Sequence, residues 1–257
     1  MKEITLEERK QVQLNMLIEI DAFCRKHNIR YSLAYGTLIG AIRHKGFIPW
    51  DDDVDIMMPL PDMLKFKEFF RSETMCYCDV DTDKKYKYAF SRIANTKTYN
   101  KDGLISTSYG ICIDLYPVLG LPLSIEGIEQ FFKDASIELK RRLRIIRLTS
   151  IMLRYLPIKY FKGFNKAMKR YRNVLFQYPY EGTKYFFTNG GELEMRNVHE
   201  FDLFEQLIEV PFEGHKFLSI ARYDEYLRRF YGDYMQLPPE DQRVPYHGGH
   251  YYWKEDK

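Results

Sequence analysis

Asp53 and Asp55 stand one residue apart at the head of the apolar run Ile56-Met57-Met58, and a third carboxylate, Asp114, interrupts the apolar stretch Ile111-Cys112-Ile113-Asp114-Leu115-Tyr116. Side chains alternate along a strand, so Asp53 and Asp55 are expected to share a face. A lone charge in a run as apolar as that around Asp114 is expensive to bury unless a cation neutralises it. A fold that accepts all three acids must therefore bring two strands side by side and place positive charge between them. Three hard oxygen donors of this kind suit Mg²⁺ or Mn²⁺, which leave coordination positions open for phosphate oxygens. Asp53, Asp55 and Asp114 are thus the expected metal ligands and catalytic residues.

The surrounding pattern predicts a mixed α/β (α+β) core. Thr5-Leu6-Glu7-Glu8 fits a capping box, and Val12, Met16, Ile20 and Phe23 follow at helical spacing, so a first helix is expected to run to about His27. Ile29 to Tyr35 reads as a strand, broken at Gly36-Thr37, with a short helix from Leu38 to His44 closed by Gly46. The pair Gly36 and Thr37 is then a turn at which backbone N–H groups and the following helix N-terminus can approach a phosphate. Arg43, His44 and Lys45 would add positive charge nearby. Val54 to Met58 reads as a second strand ended by Pro59. An amphipathic helix beyond Pro61 carries Met63, Leu64, Phe66 and Phe69. Met75–Val80, Tyr88–Ala94 and Gly110–Tyr116 are strand-like, the last closed by Pro117. Helical patterns cover Ile125–Leu153 and about Ile158–Phe176, and the last eighty residues mix short strands and helices, including Tyr223–Tyr231. The expected plan is a single catalytic domain over residues 1–257, with a core at about 5–120 and 177–257 and a helical insertion at about 125–176.

Composition narrows the functional classes. Hydrophobic residues make up 45% and charged residues 29% of 257, which excludes extensive disorder. No run approaches the length of a membrane span, and the N-terminus lacks a secretory pattern, so an intracellular, cytoplasmic location is expected. The pair Cys76 and Cys78 faces one side of a strand, but no further ligands stand at a spacing that zinc would need. The 21 Tyr and 18 Phe serve either a Tyr-rich core or a groove that packs against sugar and base rings. Twelve of the 39 basic residues fall between Leu139 and Arg172, a stretch without any of the 36 acids. A basic helix with an apolar side can lie on an anionic membrane surface, which would place the protein peripherally at the inner face of the cell membrane. It can equally pack on the core with a solvated face. Nucleic acid is excluded as the partner of this charge, because no RNA-recognition motif or zinc finger accompanies it.

A Gly-Thr pair, a short helix, Asp-x-Asp and a later single Asp follow one another in the order found in the nucleotidyltransferase superfamily. More specifically, the unbroken segment from Tyr31-Ser32-Leu33-Ala34-Tyr35-Gly36-Thr37 through Arg43-His44-Lys45-Gly46-Phe47-Ile48-Pro49-Trp50-Asp51-Asp52-Asp53-Val54-Asp55-Ile56 closely resembles the signature of the LicD family of cholinephosphotransferases, which includes the fukutin-like enzymes. The resemblance continues at Ile113-Asp114-Leu115-Tyr116-Pro117 and, more loosely, at Tyr231-Gly232-Asp233-Tyr234 with Arg243 and His247 beyond. It implies a nucleotidyltransferase-type mixed sheet and transfer of a phospho-alcohol, usually phosphocholine from CDP-choline, to a sugar hydroxyl of a glycan precursor such as teichoic acid, lipopolysaccharide or capsule. The implied partners are a CDP-alcohol donor and a glycan acceptor, including lipid-linked forms. On that model Asp53, Asp55 and Asp114 hold Mg²⁺ or Mn²⁺, Asp114 accepts the attacking hydroxyl's proton, and Gly36, Thr37, Arg43, Lys45, Arg92, Arg243 and His247 bind the donor. Arg92 pairs either with a phosphate or with an acid of the core, and Asp51 and Asp52 either orient the ligands or are solvated. Three alternatives remain open: another phospho-polyol donor such as CDP-glycerol or CDP-ribitol, a true nucleotidyltransferase using NTP, and a binding module without catalysis, against which the presence of all three acids counts.

Overall fold

A computed structural model describes residues 2–84, 86, 88–101, 109–153, 161–188, 193–245 and 248–255. The chain opens with helix α1 (Leu6–His27), started by the expected capping box. Thr5 Oγ1 accepts from the Glu8 N–H at 3.2 Å, and the Glu8 carboxylate accepts from the Thr5 N–H at 3.0 Å. Asn28, in the left-handed region at φ 52°, ends the helix, a conformation Asn tolerates better than most residues.

The main sheet is mixed. Its strands β1 (Ser32–Leu33), β2 (Asp55–Pro59), β3 (Met75–Cys78), β4 (Ser91–Asn95) and β6 (Cys112–Gly120) lie in the order β1-β2-β6-β4-β3. Strands β2 and β6 run parallel, and their other neighbours in this order pair antiparallel. Strand β7 (Phe186–Thr188) extends the far end of β6 and carries β8 (Val198–His199). Two small antiparallel pairs complete the β-structure: β5 (Thr98–Asn100) with β11 (Tyr251–Trp253), and β9 (Leu207–Phe212) with β10 (His215–Ile220). The first of these draws the C-terminal segment back toward the start of the chain, where Ile4 N–H donates to Tyr251 O at 2.8 Å.

The strands are shorter or shifted relative to the sequence pattern, for identifiable reasons. The expected strand Ile29–Tyr35 shrinks to two residues because helix α2 (Tyr35–Ile39) begins early. The Ala34 carbonyl already accepts from Leu38 N–H at 3.1 Å, so Gly36 and Thr37 lie in the first helical turn and not in a loop before it. The helix continues as a π-helical turn over Gly40–His44. It can do so because Gly40 has no side chain: a Cβ there would stand 2.5 Å from the Gly46 carbonyl. Helix α3 (Leu60–Phe69) starts directly after Pro59 and buries Leu60, Met63 and Phe66. Leu64 and Phe69, expected on its apolar stripe, are half exposed. Strand β6 does not stop at Pro117 but runs on to Gly120, past the point where Val118 pairs with both Pro59 and Thr188.

Helix α4 (Ile125–Leu153) has the predicted bounds, and α5 (Phe161–Leu175) packs against it. Ile128, Phe131, Tyr171 and Leu175 from these helices join the same buried cluster as Leu17, Ile56, Ile113 and Phe187. From the basic stretch itself Tyr171 joins this cluster, while Lys140, Arg141, Arg144, Arg147, Lys166 and Arg170 are exposed. Residues 154–160, at the join of the two predicted helical stretches, lie outside the described residues. No helix among the described residues is long and apolar enough to cross a membrane.

Candidate active site

The parallel pairing of β2 and β6 decides the site. Asp55 is the first residue of β2 and lies in register with Asp114 on β6, which in turn pairs with Arg92 on β4. Cross-strand partners present their side chains on one face, so two acids and one arginine form a row across three strands. Asp53 precedes β2 in extended chain, and period-two alternation carries it toward the same face. Asp51, Asp53, Asp55, Arg92 and Asp114 all line a cavity of about 700 Å³, together with Gly36, Arg196, Asn197 and a set of aromatic rings. Asp53, Asp55 and Asp114 thus share one cavity wall.

Each acid is held differently. Asp114, 6% exposed, faces Arg92 through both carboxylate oxygens, at 2.7 Å from Nε and 2.9 Å from Nη2. Of the two roles open to Arg92, the structure shows the pairing with a core acid. The Arg92 guanidinium also lies 3.9 Å from the centre of the Tyr88 ring. Asp55 takes its position from Thr37, whose Oγ1 accepts from the Asp55 N–H at 2.9 Å. Thr37 thereby orients a carboxylate, and it is Gly36 alone of the pair that lines the cavity. One Asp55 oxygen, Oδ1, is buried with no hydrogen-bond partner among the described residues. Burial first, and then the charges of Asp53, Asp114 and Asp51, push the Asp55 carboxyl well above its ordinary range, against the pull of Arg92.

Asp51 and Asp52 take opposite directions from the backbone. Asp52, 1% exposed, turns into the core to meet Arg9 at 2.9 Å, and Gln13 Nε2 donates to its carbonyl at 3.3 Å. Arg9 is further steadied over the Tyr251 ring, 4.4 Å from its centre. Helix α1 thus clamps the acid loop from behind. Asp51 turns into the cavity and lies so close to Gly36 that a Cβ there would stand 2.8 Å from its Oδ2. Burial, followed by the neighbouring charges of Asp53 and Asp52, pushes its carboxyl up to about 7. One oxygen from each of Asp51, Asp52 and Asp53 lies within 4.8 Å of the others, a spacing suited to a cation.

The remaining expected donor-binding residues are placed elsewhere. Arg43 donates to the carbonyls of Tyr234 and Gln236 at 2.6 and 3.1 Å, tying the π-turn to the segment after helix α6 (Tyr223–Tyr231). Lys45 Nζ donates to Ile42 O at 3.0 Å. Arg243 donates to Pro238 O and lies over Trp50, 5.6 Å from the ring centre. These three do not stand on the cavity wall, and His247 is outside the described residues. Conversely, Asp51, Arg196, Asn197, Phe230 and Tyr231 line the cavity without having been singled out as ligand-binding residues. Asp51 was the one with a readable signal, as the first of three consecutive acids.

The fold and the site together define an α+β protein that gathers four carboxylates and a partly buried arginine on one cavity at the starts of two parallel strands. Residues 28–142 match the family model described as LicD/FKTN/FKRP, nucleotidyltransferase domain. The lipopolysaccharide cholinephosphotransferase LicD of Haemophilus influenzae is 32% identical over 96% of this chain and 97% of its own length. An uncharacterized protein of Rickettsia typhi is 38% identical over 26% of the chain and 22% of its own. The chain belongs to the LicD family.

Proposed function

We propose that this protein transfers phosphocholine from CDP-choline to a sugar hydroxyl of a cell-surface glycan or its lipid-linked precursor, with Mg²⁺ or Mn²⁺ as cofactor. The observation that carries the reading is the register of Asp55 with Asp114 on parallel β2 and β6, with Asp51 and Asp53 in the same cavity. The full-length similarity to a lipopolysaccharide cholinephosphotransferase supports the donor and acceptor class.

The residues fit a hard divalent ion: the donors are carboxylate oxygens, one of them buried without a partner among the described residues, and their mutual repulsion needs an external positive charge. Asp53, Asp55 and Asp114 would hold it, and when bound it would neutralise charge on the donor's phosphates. The acceptor oxygen attacks the phosphorus that carries choline, the bond from that phosphorus to the oxygen of CMP breaks, and CMP leaves with the electron pair. The hydroxyl proton goes to a carboxylate of the cluster. Pairing with Arg92 occupies Asp114, whereas Asp51 turns its carboxylate into the cavity beside Gly36, within reach of a bound hydroxyl. We therefore assign the proton to Asp51 and not, as the family resemblance implies, to Asp114. Arg92 fixes the Asp114 carboxylate and offers positive charge beside the transferred group. The exposed basic residues of α4 and α5 support contact with an anionic lipid surface that carries the acceptor.

CMP release and thermal stabilisation should be measured with Mg²⁺ and CDP-choline beside CDP-glycerol, CDP-ribitol and NTP, for wild type, Asp53→Ala and Asp114→Ala. CDP-choline alone should stabilise the wild type and yield CMP in an aspartate-dependent way. Preference for a CDP-polyol moves the donor, and binding of NTP alone overturns the phosphocholine reading.

A further inference from the structure

The wall of the cavity facing the acids is aromatic. Tyr116 lies two residues beyond Asp114 on β6, hence on the same face and roughly 7 Å along the strand. Tyr35 directly precedes Gly36, the residue packed against Asp51. Phe230 comes from α6. The Tyr35 ring meets Tyr116 at a centroid distance of 5.0 Å and 75°, and meets Phe230 at 5.5 Å and 84°. All three line the cavity and are partly exposed. Behind Phe230 stand the buried rings of Tyr226, at 5.0 Å, and His199, at 6.4 Å. Burial and the charge of Arg229 push the His199 imidazole down to about 3, so it stays neutral. Its ring therefore brings no positive charge to the wall, and Arg196, which also lines the cavity, is paired with Glu194 at 2.7 Å.

We infer that the corner formed by Tyr35, Tyr116 and Phe230 seats the quaternary ammonium group of the donor. This rests on the cholinephosphotransferase reading and adds to it the residues that select choline. The geometry argues for a trimethylammonium group over the other parts of the donor. Rings set nearly perpendicular enclose a concave corner that suits a compact, nearly spherical cation, whereas a flat cytosine would need a single exposed face to stack on. The three side chains offer aromatic faces and, apart from two phenol oxygens, no hydrogen-bonding groups. A polyol needs several such partners, and a quaternary ammonium can use none. The neighbouring Tyr88 face is already covered by the Arg92 guanidinium, so a second cation is directed to the Tyr35 side. The spacing of Tyr116 from Asp114 puts the corner about one phosphocholine length from the acids. Carboxylates at that range add attraction for the positive head.

The test compares two ligands that differ only in charge: CDP-choline and its uncharged isostere, the CDP ester of 3,3-dimethylbutanol. Their affinities for the Mg²⁺-loaded protein are measured by calorimetry. Wild type should bind CDP-choline roughly tenfold to thirtyfold more tightly, the range of a desolvated cation–π contact. Phe230→Leu and Tyr116→Leu should each bring the ratio of the two affinities toward one. Because the ratio is taken within each variant, a loss of folded protein cancels. If the wild type prefers CDP-choline and the ratio survives both substitutions, or if both ligands weaken equally, the assignment of the corner is overturned while the donor reading stands. If CDP-choline does not bind and a CDP-polyol does, the donor reading fails and takes the assignment with it.

Discussion

Replacing Asp51 with asparagine should stabilise the metal-free protein at alkaline pH while impairing its chemistry. The Asp51 carboxyl shifts from an ordinary 3.8 to about 7 because the fold buries it beside Asp53 and Asp52. A folded-state value above the unfolded one means that the protonated form is favoured on folding. The associated stability is fully present below about pH 4 and is lost as the pH rises through 7. The full shift corresponds to roughly 4 kcal/mol at pH 8. Screening by the water that reaches a cavity-facing carboxylate reduces the measurable share to about 2 kcal/mol. A carboxamide carries no charge at any pH. Wild type and Asp51→Asn should therefore melt alike below about pH 4 in EDTA, and diverge progressively to pH 8, with the variant higher there by roughly 4–8 °C for a chain of this size. Saturating Mg²⁺ should raise the wild type and close the gap. Melting curves that stay parallel from pH 5 to 8, or a variant that is less stable at pH 8, would refute the account of the cluster as a store of repulsion.

Three further outcomes follow from the same geometry. Asp114→Ala leaves the Arg92 guanidinium without its partner in a largely buried position, so it should cost about 3–5 kcal/mol in denaturant titration. The double variant with Arg92→Met should recover much of that loss without recovering activity. Asp52→Ala breaks the pair with Arg9 behind the acid loop and should cost about 3 kcal/mol. It should also weaken Mg²⁺ binding, because the Arg9 pair holds the loop on which the Asp51, Asp52 and Asp53 oxygens lie together, and unchanged Mg²⁺ affinity would count against the clamp. Gly36→Ala adds a methyl group 2.8 Å from Asp51 Oδ2 in a helical turn where alanine is otherwise favoured by about 1 kcal/mol. Stability should change little while Mg²⁺ affinity, read by calorimetry, falls at least tenfold.

The acids of the cavity are legible because charge in an apolar run is a conflict that sequence alone exposes. Asp114 stands alone among Ile113, Leu115 and Cys112, and the cation that resolves this conflict in the structure is Arg92 on the neighbouring strand. What sequence could not supply was the third dimension of the loop before β2. Three consecutive acids look alike on paper, but alternation sends Asp52 back to Arg9 on α1 and leaves Asp51 and Asp53 in front. The Gly36-Thr37 pair reads as a turn because it interrupts the apolar strand pattern that ends at Tyr35. In the structure it opens a helix, because Ala34 switches its N–H to Asp55 and its carbonyl to Leu38. Cations near the Gly-Thr pair were assigned to the donor by proximity in sequence, yet the π-turn rotates Arg43 toward the carbonyls after α6. Phe230 and Asn197 were out of reach because they approach the acids only through the fold, from segments well over a hundred residues downstream of Asp55.

Two arginines divide the acidic charge into a balanced and an unbalanced half. Arg9 neutralises Asp52 from the helix side, and Arg92 neutralises Asp114 from the neighbouring strand. Asp51, Asp53 and Asp55 remain in front of them, and the charge of Asp53 raises the proton affinity of the other two. Had the fold been selected for stability alone, a third cation from the chain or an apolar side chain at Asp55 would have relieved the repulsion. The structure instead leaves Asp55 Oδ1 buried without a partner among the described residues, at the point where β2 meets β6. The unbalanced half is thus what the proposed cation would neutralise, and the balanced half holds it in place. The aromatic corner beyond Asp114 then sets what the ligand's far end can be.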